Sequence, residues 1–153
     1  MSNALRWRPQ LAAGDVVRVP FPTARAATID PYDIAAVAVQ VLLGGHDGQI
    51  HELTGPEFLL PADQVSVLAK VLGRNLHCHG MTDAETREEM DRTMPTEYVD
   101  AFFNFYGDGV LDESHVHPTV RNITRHEPRT FEQWTRAHGH EFQGPTANVR
   151  TPS

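Results

Sequence analysis

The sequence predicts an α/β fold in which short strands alternate with several amphipathic helices, and three observations carry that prediction. Three brief segments, residues 15–20, 49–53 and 75–81, have strand character and end at or near glycine, proline or threonine turns. Between and after them, apolar residues recur at the three- and four-residue spacing of a helix. Most of those helical stretches open with a recognisable capping pattern. The chain has 153 residues, 40% of them hydrophobic, enough for one ordinary domain core.

Taken in order, Asp15-Val16-Val17-Arg18-Val19-Pro20 is β-branched and bounded by Gly14 and Pro20, which predicts a strand. Next, Ile29-Asp30-Pro31-Tyr32-Asp33-Ile34 offers a side-chain acceptor for helix amides, a proline at the first helical position and a carboxylate near the positive end of the dipole. Ile34, Val37, Ala38, Val41 and Leu42 follow at helical spacing and predict one broad buried face, ended by Gly44-Gly45. Residues 49–53 read as a strand stopped by Thr54-Gly55-Pro56. Pro61 opens and Gly73 closes a second amphipathic helix carrying Val65, Leu68, Ala69 and Leu72.

A third strand is expected within residues 75–81. The capping box Thr82-Asp83-Ala84-Glu85 then starts an acidic helix. After Thr96, Val99, Phe102, Phe103 and Tyr106 share a face, which gathers much of the aromatic mass where it can pack or cover a pocket. A second capping box, Thr130-Phe131-Glu132-Gln133, opens a last helix running to about His140. Residues 144–153 have two prolines and no periodicity and are expected to form a loose tail after a domain spanning residues 1–143.

Composition narrows the function classes. A formal charge of −7 disfavours a nucleic-acid backbone as partner. One cysteine, Cys78, makes no internal disulfide, which points to a reducing cytoplasm. The amino terminus lacks the apolar stretch of a signal peptide. The longest apolar run, residues 34–43, is interrupted by Gln40 and falls short of the roughly 20 residues needed to cross a bilayer, so no membrane span is expected.

Several residue groups invite chemistry. Nine histidines include His77-Cys78-His79, His115-Val116-His117 and His138-Gly139-His140, yet a zinc site needs three or four convergent ligands, and no metal is expected. Alternation on a strand would put His77 and His79 on one face and bury Cys78 on the other. Asp30 and Asp33 sit where helix amides hold them ionised, which favours capping over acid–base work. The acids Asp83, Glu85, Glu88, Glu89 and Asp91 read as a solvated helix face. Arg25 is either a solvated arginine or a contact for an anionic substrate. Phe105, off the main aromatic stripe, is a candidate to turn toward a substrate cavity or a partner.

The segments Ile29-Asp30-Pro31-Tyr32-Asp33-Ile34-Ala35-Ala36-Val37-Ala38, Glu52-Leu53-Thr54-Gly55-Pro56-Glu57 and Arg129-Thr130-Phe131-Glu132-Gln133-Trp134 resemble, in order and spacing, the carboxy-terminal half of NmrA-like NAD(P)-binding proteins, atypical short-chain dehydrogenases/reductases. The resemblance runs from about Ser2 to Phe142. It implies the substrate-side part of a Rossmann-like fold, NAD(P) as cofactor and NAD(P)H-dependent reduction of a small organic substrate. It places Asn3, which otherwise caps a helix, near the cofactor's nicotinamide, and Trp7 beside the substrate.

The glycine turn that holds the pyrophosphate in that family is absent, since Gly44, Gly45 and Gly48 follow a helix where the fingerprint requires a strand. Tyr32, Tyr98 and Tyr106 also lack the lysine four residues on that classical members use, and Lys70 is the sole lysine. The expected partners are therefore a small-molecule substrate together with a missing amino-terminal half or a second copy of the chain, since a half fold would leave the strands at 16–19 and 49–53 with unpaired edges and apolar helix faces exposed. Two other readings stand beside this one: a non-catalytic regulatory or protein-binding module of the redox or dinucleotide-sensor type, and a small independent cyclase or hydrolase.

Overall fold

Two parallel strands, β1 (Val16–Val19) and β2 (His77–Gly80), form the sheet, with Val16 opposite His77 and Val19 opposite Gly80 in this computed structural model, which describes residues 1–107 and 115–142. A parallel pair needs a long crossover. Here it contains α2 (Pro31–Leu42) and α3 (Pro61–Leu72). A 3₁₀ turn, Ser2–Trp7, leads into α1 (Arg8–Ala13) ahead of β1. After β2 come α4 (Asp83–Asp91), α5 (Thr96–Phe102) with a π-helical extension Phe103–Gly107, α6 (Thr119–Thr124), α7 (Phe131–His138) and a 3₁₀ turn Gly139–Phe142. The tail expected at residues 144–153 lies outside the described residues.

Val17 and Val19 are fully buried and point into the main core, where they join Trp7, Leu11, Val65, Leu68, Phe131, Trp134 and Phe142. The core thus lies on one side of the sheet, between the amino-terminal turn, α3 and α7. The other side is polar: Arg18 reaches Glu85 at 3.7 Å and Glu89 at 3.4 Å on α4.

The helix entries follow the expected chemistry. Asp30 accepts from the Tyr32 amide at 2.9 Å, and both predicted capping boxes form, Thr82 with Glu85 and Thr130 with Gln133. Gly73 ends α3 in the left-handed conformation, φ 64°. Arg74 then donates to the Leu11 and Gly14 carbonyls at 2.9 and 2.7 Å and to the Asp15 carboxylate at 2.6 Å, tying the approach to β2 onto the approach to β1.

Four expectations need correction. Residues 49–53 are not a strand: among the described residues no strand lies alongside them, Ile50 is 93% exposed, and the isolated bridge found is an antiparallel one between Ala26 and Leu59. Hydrophobic alternation makes a strand only where a neighbour completes the hydrogen bonds.

Helix α2 buries far less than predicted, with only Asp33 and Val37 fully covered while Ile34 and Leu42 are exposed. It is apolar nearly all round, and α6 covers one side only. Cys78 is exposed, as is every other residue of β2.

Finally, the outer edge of β1 is not left open at its centre. The Gln10 side chain accepts from the Arg18 amide at 2.6 Å and donates to the Arg18 carbonyl at 3.2 Å, as a neighbouring strand would.

Candidate functional site

The Leu53-Thr54-Gly55-Pro56-Glu57 segment holds together the walls of the site. Gly55 donates its amide to the Ala27 carbonyl at 2.9 Å, and a Cβ at Gly55 would lie 2.0 Å from the Thr28 carbonyl oxygen, so only glycine permits this approach. Thr54 Oγ1 accepts from the His117 amide at 2.8 Å, and Glu57 accepts from the Phe131 amide at the start of α7 at 3.1 Å. Asp33 accepts from the Arg129 amide at 2.8 Å, and burial raises its pKa against the lowering effect of that hydrogen bond. Asp30 caps α2 as expected, whereas Asp33 gives its carboxylate to the Arg129 amide ahead of α7, and its burial works against the ionised form.

Between the amino-terminal turn, the segment after β1 and α5 lies a cleft of about 540 Å³. Its walls are chiefly Trp7, Phe21, Leu59, Met90, Phe102 and Tyr106, with Asn3, Arg6 and Gln64 supplying polar groups. At the π-helical turn Phe103–Gly107, Tyr106 stacks near-parallel on Phe102 at 6.2 Å while Phe103 meets Phe21 edge-on at 5.1 Å. Phe21 itself has φ 47° and lies 5.5 Å from the Tyr106 ring. A left-handed phenylalanine costs of order 1–3 kcal/mol and persists because its buried ring contacts fix it. Desolvation lowers the Arg6 pKa, with Tyr106 acting in the opposite direction.

Two of the residues expected at a site line this cleft, Asn3 and Trp7. Trp7 is 1% exposed, and its indole nitrogen has no hydrogen-bond partner. The structure does not bring Arg25 or Phe105 to the cleft: the Arg25 guanidinium lies over the Phe58 ring at 5.5 Å, and Phe105 is 43% exposed. Sequence reasoning passed over Phe21 and Met90. Phe21 sits in Pro20-Phe21-Pro22, where the flanking prolines are a visible signal for a fixed, non-ladder backbone.

A second cleft of about 420 Å³ adjoins the first, sharing Met1, Asn3, Ala26, Thr28 and Tyr106 with it and adding Glu52, Thr54, His115 and His117. Of the other histidines, His46 and His51 pair with each other, Nδ1 to Nε2 at 3.0 Å, and the rest are dispersed. His79 lies 3.4 Å from Glu85, His77 is near Asn75, and His138 stacks on Trp134 at 4.7 Å. Among the described residues no three His, Cys, Asp or Glu side chains converge as metal ligands.

The described residues do not fit a dinucleotide pyrophosphate. Gly44, Gly45 and Gly48, all with positive φ, follow a helix, and Gly73 ends one. Gly55 and Gly80, the positions where a Cβ would collide, abut the protein's own Thr28 and Pro22. Of these only Gly80 lies between a strand, β2, and a helix, α4, and it stands as a lone glycine in Gly80-Met81-Thr82, packed against Pro22, without the glycine-rich turn that a phosphate cradle uses.

No family model matches the sequence. The chain is 33% identical over 144 residues to a (4-alkanoyl-5-oxo-2,5-dihydrofuran-3-yl)methyl phosphate reductase of Streptomyces griseus, covering 93% of this chain and 51% of that protein. It is 30% identical over 151 residues to an NAD(P)H azoreductase of Xenophilus azovorans, with the same coverage of 93% and 51%. Among solved structures it superimposes on an NADPH-dependent quinone oxidoreductase of Escherichia coli with a TM-score of 0.69 at 20% identity, covering 93% of this chain and 52% of that one. A triphenylmethane reductase of Citrobacter sp. gives 0.67 at 13% identity, covering 87% and 48%. These likenesses support the Rossmann-like fold of which the chain forms part. The chain spans about half the length of the relatives it matches.

Proposed function

This chain belongs to the NmrA-like family of NAD(P)-binding proteins, and on that premise we propose that it is the carboxy-terminal, substrate-side half of an NAD(P)H-dependent reductase acting on a small organic acceptor. The observation carrying this reading is the aromatic cleft around Asn3 and Trp7 in a chain whose described residues offer no phosphate cradle. The cofactor would supply the reducing equivalents, and residues outside this chain would grip it. This chain's own part is to seat the acceptor against Trp7, Phe21 and Phe102, to exclude water with those rings, and to present Asn3 and Tyr106 as polar groups at the cleft's edge.

The relatives' names fit a flat or conjugated acceptor, since one reduces an azo compound and the other an unsaturated lactone phosphate. The working assembly pairs this chain with an amino-terminal dinucleotide-binding half, and we place it in the cytoplasm. No helix among the described residues is long and apolar enough to cross a membrane.

The test joins this chain to the amino-terminal half of the Streptomyces griseus relative. NADPH binding and acceptor-dependent NADPH oxidation are expected in the joined protein and absent from this chain alone. Tight NADPH uptake by the isolated, folded chain overturns the division of labour, and failure of the joined protein to bind NADPH removes the reductase reading. The missing glycine turn also favours a second reading, a non-catalytic binding module; ligand uptake in the cleft with no turnover in any joined form is its signature.

A further inference from the structure

The two adjoining clefts differ in chemistry along one continuous surface. The larger is walled by Trp7, Phe21 and Phe102, while the smaller carries Thr54, His115 and His117. Asn3 and Tyr106 belong to both, so a ligand lying across them has its apolar body on one side and a polar group on the other.

His117 is set firmly at the polar end. Its backbone amide donates to Thr54 Oγ1 at 2.8 Å, and Thr54 is fixed in turn by the Gly55 amide on the Ala27 carbonyl. Its imidazole Nε2 lies 3.4 Å from Glu52 Oε2, the more exposed partner, with 74% of its side chain accessible against 37% for His117. Both side chains line the small cleft, and the imidazole is the less exposed of the two. With Nε2 facing Glu52, the ring's other nitrogen is the one that can donate to an acid group of a ligand.

We propose that the small cleft is an acid-group subsite and that His117 selects, for the cleft described above as the acceptor site, ligands that join a flat apolar body to a carboxylate or phosphate. The proposal rests on the substrate-side reading of the aromatic cleft, and it concerns binding alone. Glu52 orients the imidazole before a ligand arrives, while Thr54 holds the backbone whatever side chain stands at position 117.

Calorimetric titration of the purified chain at pH about 6, below the ordinary imidazole pKa of ~6.5, tests it with three probes that share one ring system: 2-naphthoate, 2-naphthyl phosphate and 2-naphthol. At least one acid is expected to bind about tenfold or more tighter than the naphthol, the scale of a charge-assisted hydrogen bond. The order of the two acids tells carboxylate from phosphate.

His117→Gln is expected to abolish the preference and leave the naphthol's affinity within about twofold, with an unchanged melting curve because the position is anchored through its backbone. Phe102→Ala is expected to weaken all three probes. Equal binding of acids and naphthol, a preference that survives His117→Gln, or no binding of any probe overturns the proposal. The titration contains no nicotinamide, so its failure is separate from a failure of the joined protein to oxidise NADPH.

Discussion

Gly55 shows how one residue can fix a site it does not touch chemically. A Cβ there would sit 2.0 Å from the Thr28 carbonyl, so Gly55→Ala must push apart two segments that both border the small cleft. A loss of about 1–3 kcal/mol or more in urea unfolding is expected, the scale of an overpacked position. At Glu85 the prediction is one of pH. The Thr82 backbone amide, then the Thr82 hydroxyl and His79, hold its carboxyl down to about 2 from the usual 4.5. Because the folded pKa lies below the unfolded one, the stabilisation is complete above pH 4.5 and is lost as pH falls toward about 2. Carboxyl titration by NMR should find this value, and Thr82→Ala should return it toward 4.5. Capping residues such as Asp30, Thr82 and Thr130 were legible in the sequence because their partners lie two or three residues away. Cys78 was not legible, because its exposure depends on what fails to cover β2. Phe21 was missed because its flanking prolines mark a fixed backbone but not the left-handed conformation, which is stabilised by rings from distant segments.

Elements were legible in proportion to how much of their stability is local. Helices α3, α4 and α7 carry their own caps and periodicity, and each stands where the sequence puts it. Residues 49–53 have strand-like alternation but no neighbour to pair with, and α6 has too few turns for periodicity to show, with only Val120 buried. The last full helix is also the one on which the core leans. Trp134 is 1% exposed, stacked between Phe131 at 5.7 Å and His138 at 4.7 Å, and its helix is tied to the Leu53–Glu57 segment through Glu57. Trp134→Ala is expected to cost about 3–5 kcal/mol by denaturant unfolding, as for other fully buried large aromatics. Glu57→Ala should cost less, about 1–2 kcal/mol, the worth of a charged acceptor at a helix start. Its distinctive effect should be a loosened α7 amino terminus, read as faster amide exchange at Phe131 than at Trp134.

At the scale of the molecule, the sheet and α2 make opposite statements about partners. The sequence suggested that strand edges would be left unpaired if the fold is a half, but Gln10 satisfies both backbone groups of Arg18 and blunts the centre of the β1 edge. The apolar surface is concentrated elsewhere: Ile34, Val39, Leu42 and Leu43 on and just after α2, with Ile50 in the loop beyond, are all exposed, Leu42 at 86% and Leu43 at 78%. A helix apolar on nearly every side is built to be covered on more than one of them. If a second copy or a complementary half covers that face, the purified chain should associate with itself in a concentration-dependent way in light scattering. The double change Leu42→Glu and Leu43→Glu should then give a monomer whose unfolding free energy stays within about 0.5 kcal/mol of the parent, because neither side chain supports the internal core. A parent chain that remains a folded monomer through dilution and concentration alike would mean that α2 needs no cover, and the case for a partner at that face would fall. Association that survives both substitutions would move the contact to another surface, and the blunted β1 edge is the least suited to receive it.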